Sequence, residues 1–152
     1  MDKSDRKILE ALQEDASIPL AELADRVGLT ATPCWRRVQR LEEKGWISKR
    51  VALLNPMHLN LGVTVFVSIR TNSHDMKWLA AFHGLVSAIP EVVDFYRLAG
   101  QADYLLRVVV PDIAAYDRVY KRLISGSELA DVTSSFAMEK IKSTTKLPLD
   151  YA

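Results

Sequence analysis

Leu20-Ala-Glu-Leu-Ala-Asp-Arg-Val-Gly28-Leu-Thr30-Ala-Thr-Pro33-Cys-Trp-Arg36-Arg-Val-Gln-Arg40-Leu-Glu-Glu-Lys-Gly45 decides the first half of the chain. Leu20, Leu23, Ala24 and Val27 recur at helical spacing, and Pro19 suits a first helical turn, where an N–H is not needed. Gly28 stops that helix. A second runs from about Thr30 to Lys44, and Gly45 stops it in turn. A helix, the turn Gly28-Leu29-Thr30 and another helix make a helix-turn-helix unit, whose second helix lies in the major groove of DNA. At about 100° per residue, Cys34, Val38 and Leu41 share a narrow inward arc. Thr32, Arg36, Gln39, Arg40 and Glu43 face outward, with Pro33 and Arg37 at the edges. Arginine and glutamine suit phosphate contact and base-edge hydrogen bonding. The turn Thr30-Ala-Thr-Pro33 adds hydroxyls and free backbone N–H groups where a phosphate docks. The expected DNA-contacting set is therefore Thr30, Thr32, Pro33, Arg36, Arg37, Gln39 and Arg40. The alternative is that these charges only solvate an exposed face.

Charge along the chain favours the first reading. Residues 1–29 carry four Lys/Arg against seven Asp/Glu, whereas residues 30–50 carry six against two. The net charge of +1 hides this local basic window. Upstream, Lys3 to Glu14 places Ile8, Leu9 and Leu12 at helical spacing after an acidic start. Downstream, Trp46 to Leu54 reads as extended, with Lys49 and Arg50 either flanking the DNA backbone or merely solvated, and Asn55-Pro56 is a turn signal. Trp35 is expected to pack at the domain edge, and Cys34 to act as a small buried hydrophobe rather than a redox switch.

The period then changes. Gly62 to Arg70 alternates as a strand, and Leu79, Phe82, His83, Val86 and Ile89 form a helical stripe closed by Pro90. Val92 to Ala99 and Asp103 to Val110 make a hairpin around Gly100-Gln-Ala. Pro111-Asp112 opens a helix with Ile113, Tyr116, Tyr120 and Leu123 buried, and Val132 to Ile141 is a fourth strand. The order β-α-β-β-α-β is the ferredoxin-like arrangement, an antiparallel four-stranded sheet with two helices on one face. The fold class expected is α+β: a winged helix-turn-helix domain over 1–54, a linker over 55–61, and a ferredoxin-like domain over 62–152.

The free side of that sheet is not cleanly polar, since Phe66, Tyr96 or Phe95, Leu105 and Val109 need cover. Either a second copy or the DNA-binding domain supplies it, and a symmetric operator favours a homodimer. The hairpin loop Gly100, Gln101, Ala102, Asp103 and Tyr104 is the most site-like feature of this half, with Thr133, Ser134 and Ser135 supplying three hydroxyls. Glycine allows close backbone approach, and Asp103 suits a ligand's ammonium group; an ordinary hairpin turn capped by aspartate is the competing explanation. No set of residues for nucleophilic, general acid–base or phosphate chemistry is present, so an enzyme is not expected. His58, His74 and His83 are scattered, a single cysteine makes no metal cluster, and no cofactor is expected. The polar N-terminus and the short apolar runs point away from secretion and the membrane, towards the cytoplasm.

Six segments together resemble the Lrp/AsnC family, the leucine-responsive or feast/famine regulators. They are Asp5-Arg-Lys-Ile-Leu, Leu23-Ala-Asp-Arg-Val-Gly-Leu-Thr, Thr32-Pro-Cys-Trp-Arg-Arg-Val-Gln-Arg-Leu-Glu, Ala52-Leu-Leu-Asn-Pro, Ala99-Gly-Gln-Ala-Asp-Tyr-Leu-Leu-Arg-Val and Val132-Thr-Ser-Ser-Phe-Ala-Met-Glu-Lys-Ile-Lys-Ser-Thr-Thr. The resemblance implies an effector-modulated regulator of transcription that binds double-stranded DNA. It implies dimers that commonly assemble to octamers, and an amino acid bound between subunits near Gly100–Tyr104. Many family members carry an acidic residue where Gln101 stands and an aromatic where Ala102 stands, so the identity of the effector does not transfer. The other reading in view is an effector-independent architectural DNA-binding protein.

Overall fold

The computed structural model describes residues 1–73 and 75–152, which form two compact units. His74, one of the three histidines read as no metal ligand, lies outside the described residues.

The first unit joins Met1–Leu53 with Lys142–Ala152, so the C-terminal segment assigned above to the second domain packs with the first. Its helices are α1 (Lys3–Glu14), α2 (Leu20–Val27) and α3 (Ala31–Glu43). α1 starts with a reciprocal cap, in which Asp2 accepts the Asp5 N–H and Asp5 accepts the Asp2 N–H. α2 ends on Gly28 at φ 73°, a left-handed conformation that glycine adopts without a Cβ penalty. The Leu29 N–H then closes back on the Ala24 carbonyl at 2.9 Å, turning the chain into α3. Ile8, Leu9, Ala11, Leu23, Ala24, Val27, Cys34, Val38 and Leu41 form the core, joined by Leu12, Ile18, Leu29, Ile47 and the tail's Leu149. Cys34 is fully buried, and that burial pushes its thiol pKa up, so it packs as a hydrophobe. Leu20, expected inward, is exposed at the helix start. Residues 48–55 pair with no strand.

The second unit, Leu54–Ile141, opens with the 3-10 turn Pro56–Leu59, capped by Asn55. It continues as β1 (Val63–Arg70), α4 (Met76–Ser87), β2 (Val92–Arg97), β3 (Tyr104–Val110), α5 (Ile113–Ser125) and β4 (Asp131–Phe136). The sheet order is β2-β3-β1-β4 with every neighbouring pair antiparallel, so the β-α-β-β-α-β expectation holds. Alternation sends Val65, Val67, Ile69, Tyr104, Leu106, Val108 and Val110 into one core with Phe82, Val86, Tyr116, Val119 and Leu123 of the helices. The opposite face carries Phe66, Ser68, Tyr96, Leu105, Val109, Thr133 and Ser135, together with an Arg107–Asp94 ion pair. Tyr96 lies on this open face, and Phe95 packs in the core.

Candidate functional site

α3 presents two chemically different halves. At its start Thr30, Ala31, Thr32 and Pro33 are exposed, and the Thr30 hydroxyl makes no capping bond, which leaves the Ala31 and Thr32 N–H groups without a side-chain cap. Arg36 is exposed and takes part in none of the ion pairs among the described residues. Trp35, expected to pack, is 51% exposed beside it.

Arg37 and Arg40 are placed otherwise than the expected set implied. The Arg40 guanidinium donates to both carboxylate oxygens of Asp5 at 2.8 Å, and Arg37 donates to the same carboxylate at 2.8 Å and to Asp2. Asp5 is only 5% exposed. The bond from Arg37 holds the Asp2 carboxyl below the usual range, and Asp2 in turn raises the Arg37 pKa. These two arginines therefore tie α3 to α1. Gln39 is half-buried and donates to Glu42 at 3.3 Å, while Arg50 pairs with the same carboxylate at 2.9 Å. A helical wheel treats α3 as isolated, and so cannot register a carboxylate 35 residues away beneath Arg40. The one signal available was the Asp2/Asp5 spacing at the start of α1.

The loop of the second unit divides in a similar way. Asp103 accepts the Thr71 N–H on its carboxylate at 2.8 Å, donates its own N–H to Ile69 at 2.9 Å and accepts the Leu98 N–H on its carbonyl at 2.8 Å. These are the bonds expected of an aspartate that caps a hairpin turn. Gly100 has φ 155°, Gln101 is exposed and Ala102 is half-buried. Tyr104, grouped above with the loop, is buried against Phe82, Phe95 and the His83 ring. The three consecutive hydroxyls do not converge. Thr133 and Ser135 lie on the open face, while Ser134 points to the helix face and bonds the Tyr116 hydroxyl, whose pKa burial raises. β1 lies between β3 and β4, a separation of about 10 Å at roughly 4.8 Å per strand. Asp103 and Thr133 of one chain thus do not grip the same small ligand.

A cavity of about 750 Å³ in the first unit runs between α1, Trp46–Leu53 and the tail; no residue of α3 lines it, and none of the residues expected to contact DNA opens onto it. Among the described residues no cluster of His, Cys, Asp and Glu has the makings of a metal site, and no helix is long and apolar enough to cross a membrane.

Residues 1–48 match the family model for a winged helix-turn-helix DNA-binding domain, and residues 64–147 match that for the Lrp/AsnC ligand binding domain. The chain is 50% identical over 151 residues to the DNA-binding transcriptional activator DecR of Escherichia coli K12, covering 99% of each. A crystal structure of an AsnC family transcriptional regulator from Agrobacterium tumefaciens superposes with a TM-score of 0.96 at 63% identity, covering 99% of each chain. A Neisseria meningitidis transcriptional regulator in complex with L-methionine gives 0.94 at 37% identity, covering 99% of this chain and 98% of that one.

Proposed function

Since the chain belongs to the Lrp/AsnC family of DNA-binding transcription regulators, we propose that it reads its operator with the first half of α3 and answers to an amino acid bound where two copies meet. The exposed start of α3, with uncapped N–H groups, two threonine hydroxyls and the unpaired Arg36, carries this reading. Thr30, Thr32 and Pro33 seat a phosphate at the helix start, and Arg36 adds a charge-assisted contact. Arg37 and Arg40 hold the helix in place.

The effector reading draws on the bound L-methionine of the Neisseria relative and on the loop Gly100–Ala102, whose backbone is open beside Gln101. A ligand too small to span the sheet of one chain is held when the loop of one copy lies against the open face of another, where Thr133 and Ser135 offer hydroxyls. The protein works in the cytoplasm as a homodimer, and dimers assemble further as in the family. It needs no cofactor.

Arg36→Ala is expected to flatten the log–log salt dependence of duplex binding by about 0.9, the loss of one phosphate contact, with little change in melting temperature. Fluorescence anisotropy over a salt series measures it, and an unchanged slope removes α3 from the interface. In the same assay each proteinogenic amino acid is added in turn. At least one is expected to shift DNA affinity, and that one must also bind more tightly or more weakly, by the same factor, when DNA is present. If none shifts it at millimolar concentration, the effector-independent architectural reading replaces this one.

A further inference from the structure

We propose that Asp5 is a specificity-determining residue of the DNA-binding helix: by holding Arg37 and Arg40 it withholds two cations from DNA phosphates, so that α3 meets a duplex with Arg36 alone of its three arginines. This rests on α3 being the helix that contacts DNA.

Sequence-independent affinity for DNA comes from Lys and Arg that displace counterions from phosphates. A guanidinium already bonded to a carboxylate brings its own counter-charge, and releases little when a phosphate approaches. Arg40 is held in this way through two bonds of 2.8 Å to Asp5, and Arg37 through one bond of 2.8 Å to Asp5 with Asp2 beside it. A single Arg40 nitrogen, Nη2, serves both oxygens, and hydrogen bonds between ionised groups are the strong ones. To bind phosphate instead, both arginines must abandon a buried carboxylate, which leaves an uncompensated charge at high cost. Arg50 is engaged likewise by Glu42. The six cations of residues 30–50 thus overstate the charge that a duplex meets. Contacts that read base edges do not depend on this reserve. Asp5 therefore suppresses indiscriminate binding more than operator binding, and the ratio of the two rises.

The test uses the full chain and a mixed-sequence duplex three helical turns long, with fluorescence anisotropy over a salt series and a melting curve for each variant. Asp5→Asn is expected to bind this duplex more tightly at low salt. Its salt slope should steepen by about 0.9 for each arginine released, or roughly an eightfold larger loss of affinity per arginine over a tenfold rise in salt. Arg40→Gln in the otherwise unchanged chain leaves the slope where it was, because that cation is not on phosphate to begin with. In the double variant the slope falls between those of the parent and Asp5→Asn. A folded Asp5→Asn whose slope is unchanged or shallower overturns the proposal, as does a flattened slope for Arg40→Gln, which decides the matter even if Asp5→Asn does not fold. Arg36→Ala separates the two levels. If it flattens the slope while Asp5→Asn has no effect, the clamp alone is rejected; if it has no effect, the role of α3 is rejected as well.

Discussion

The carboxylate of Asp103 joins the end of β1 to the start of β3, since it receives the N–H of the buried Thr71 while its own backbone bonds Ile69 and Leu98. Removing an acceptor from a donor with little access to water costs about 1–3 kcal/mol. Asp103→Ala is therefore expected to lower the stability of the ligand-free protein by that amount in urea or thermal unfolding, while Asp103→Asn, which keeps an acceptor, loses less. Were Asp103 instead the partner of an effector's ammonium group, the ligand-free protein would melt unchanged and only ligand affinity would fall. Residue type made Asp103 conspicuous in the sequence, but it is the Thr71 N–H, 32 residues away, that gives it a task. The same limit applied to Thr133, Ser134 and Ser135: consecutive strand residues point to opposite faces, so three adjacent hydroxyls never line one site.

Among the elements, helix stripes and strand alternation were legible wherever one face meets a core, and unreliable at ends. Ile113, placed on the buried stripe of α5, is its first residue and stands exposed, while Ala115 and Val119 take the inward positions. β4 was expected to reach Ile141 but stops at Phe136, opposite Val65. One more bond, from the Ala137 N–H to the Thr64 carbonyl, brings β4 within a residue of the start of β1, and Met138 and Ile141 beyond it are exposed. The tail could not be assigned from periodicity because side chains hold it. Gln13 exchanges two hydrogen bonds with the backbone of Leu147, Lys146 pairs with Glu14, and Arg6 donates to Asp150 and to the Ala152 carbonyl. Lys146 and then Arg26 keep the Glu14 carboxyl below its usual range, as Arg37 does for Asp2. A carboxyl whose pKa is lowered on folding adds stability above its unfolded value, and that contribution disappears as pH falls through the folded value. Unit 1 should therefore hold its melting temperature from neutrality down to about pH 4 and lose it below, ordinary unfolded carboxyls titrating near 4. Melting curves over that range check this, and Glu14→Gln should lessen the decline.

At the scale of the whole molecule, the open face of the sheet is the feature that most needs an explanation. Phe66 and Tyr96 stand exposed there, beside half-buried Leu105 and Val109. Patches of this kind mark association surfaces, and a second copy offers the same patch in return. The double variant Phe66→Asp, Tyr96→Asp is expected to remain folded but to shift the protein towards monomer in light scattering, with a parallel loss of operator affinity as paired half-sites go unfilled. An unchanged particle mass would place the subunit contact elsewhere. The tail has a consequence of another kind, one that concerns the order of synthesis. Residues 1–53 leave the ribosome before the second unit, yet their own unit is completed by Lys142–Ala152, so Leu149 and the partners of Arg6, Gln13 and Glu14 arrive only after the entire second unit has been made. Domains generally fold in the order in which they emerge. Here the half translated first is the half finished last, and a nascent chain paused anywhere before Lys142 displays a DNA-binding unit that still lacks its closing segment.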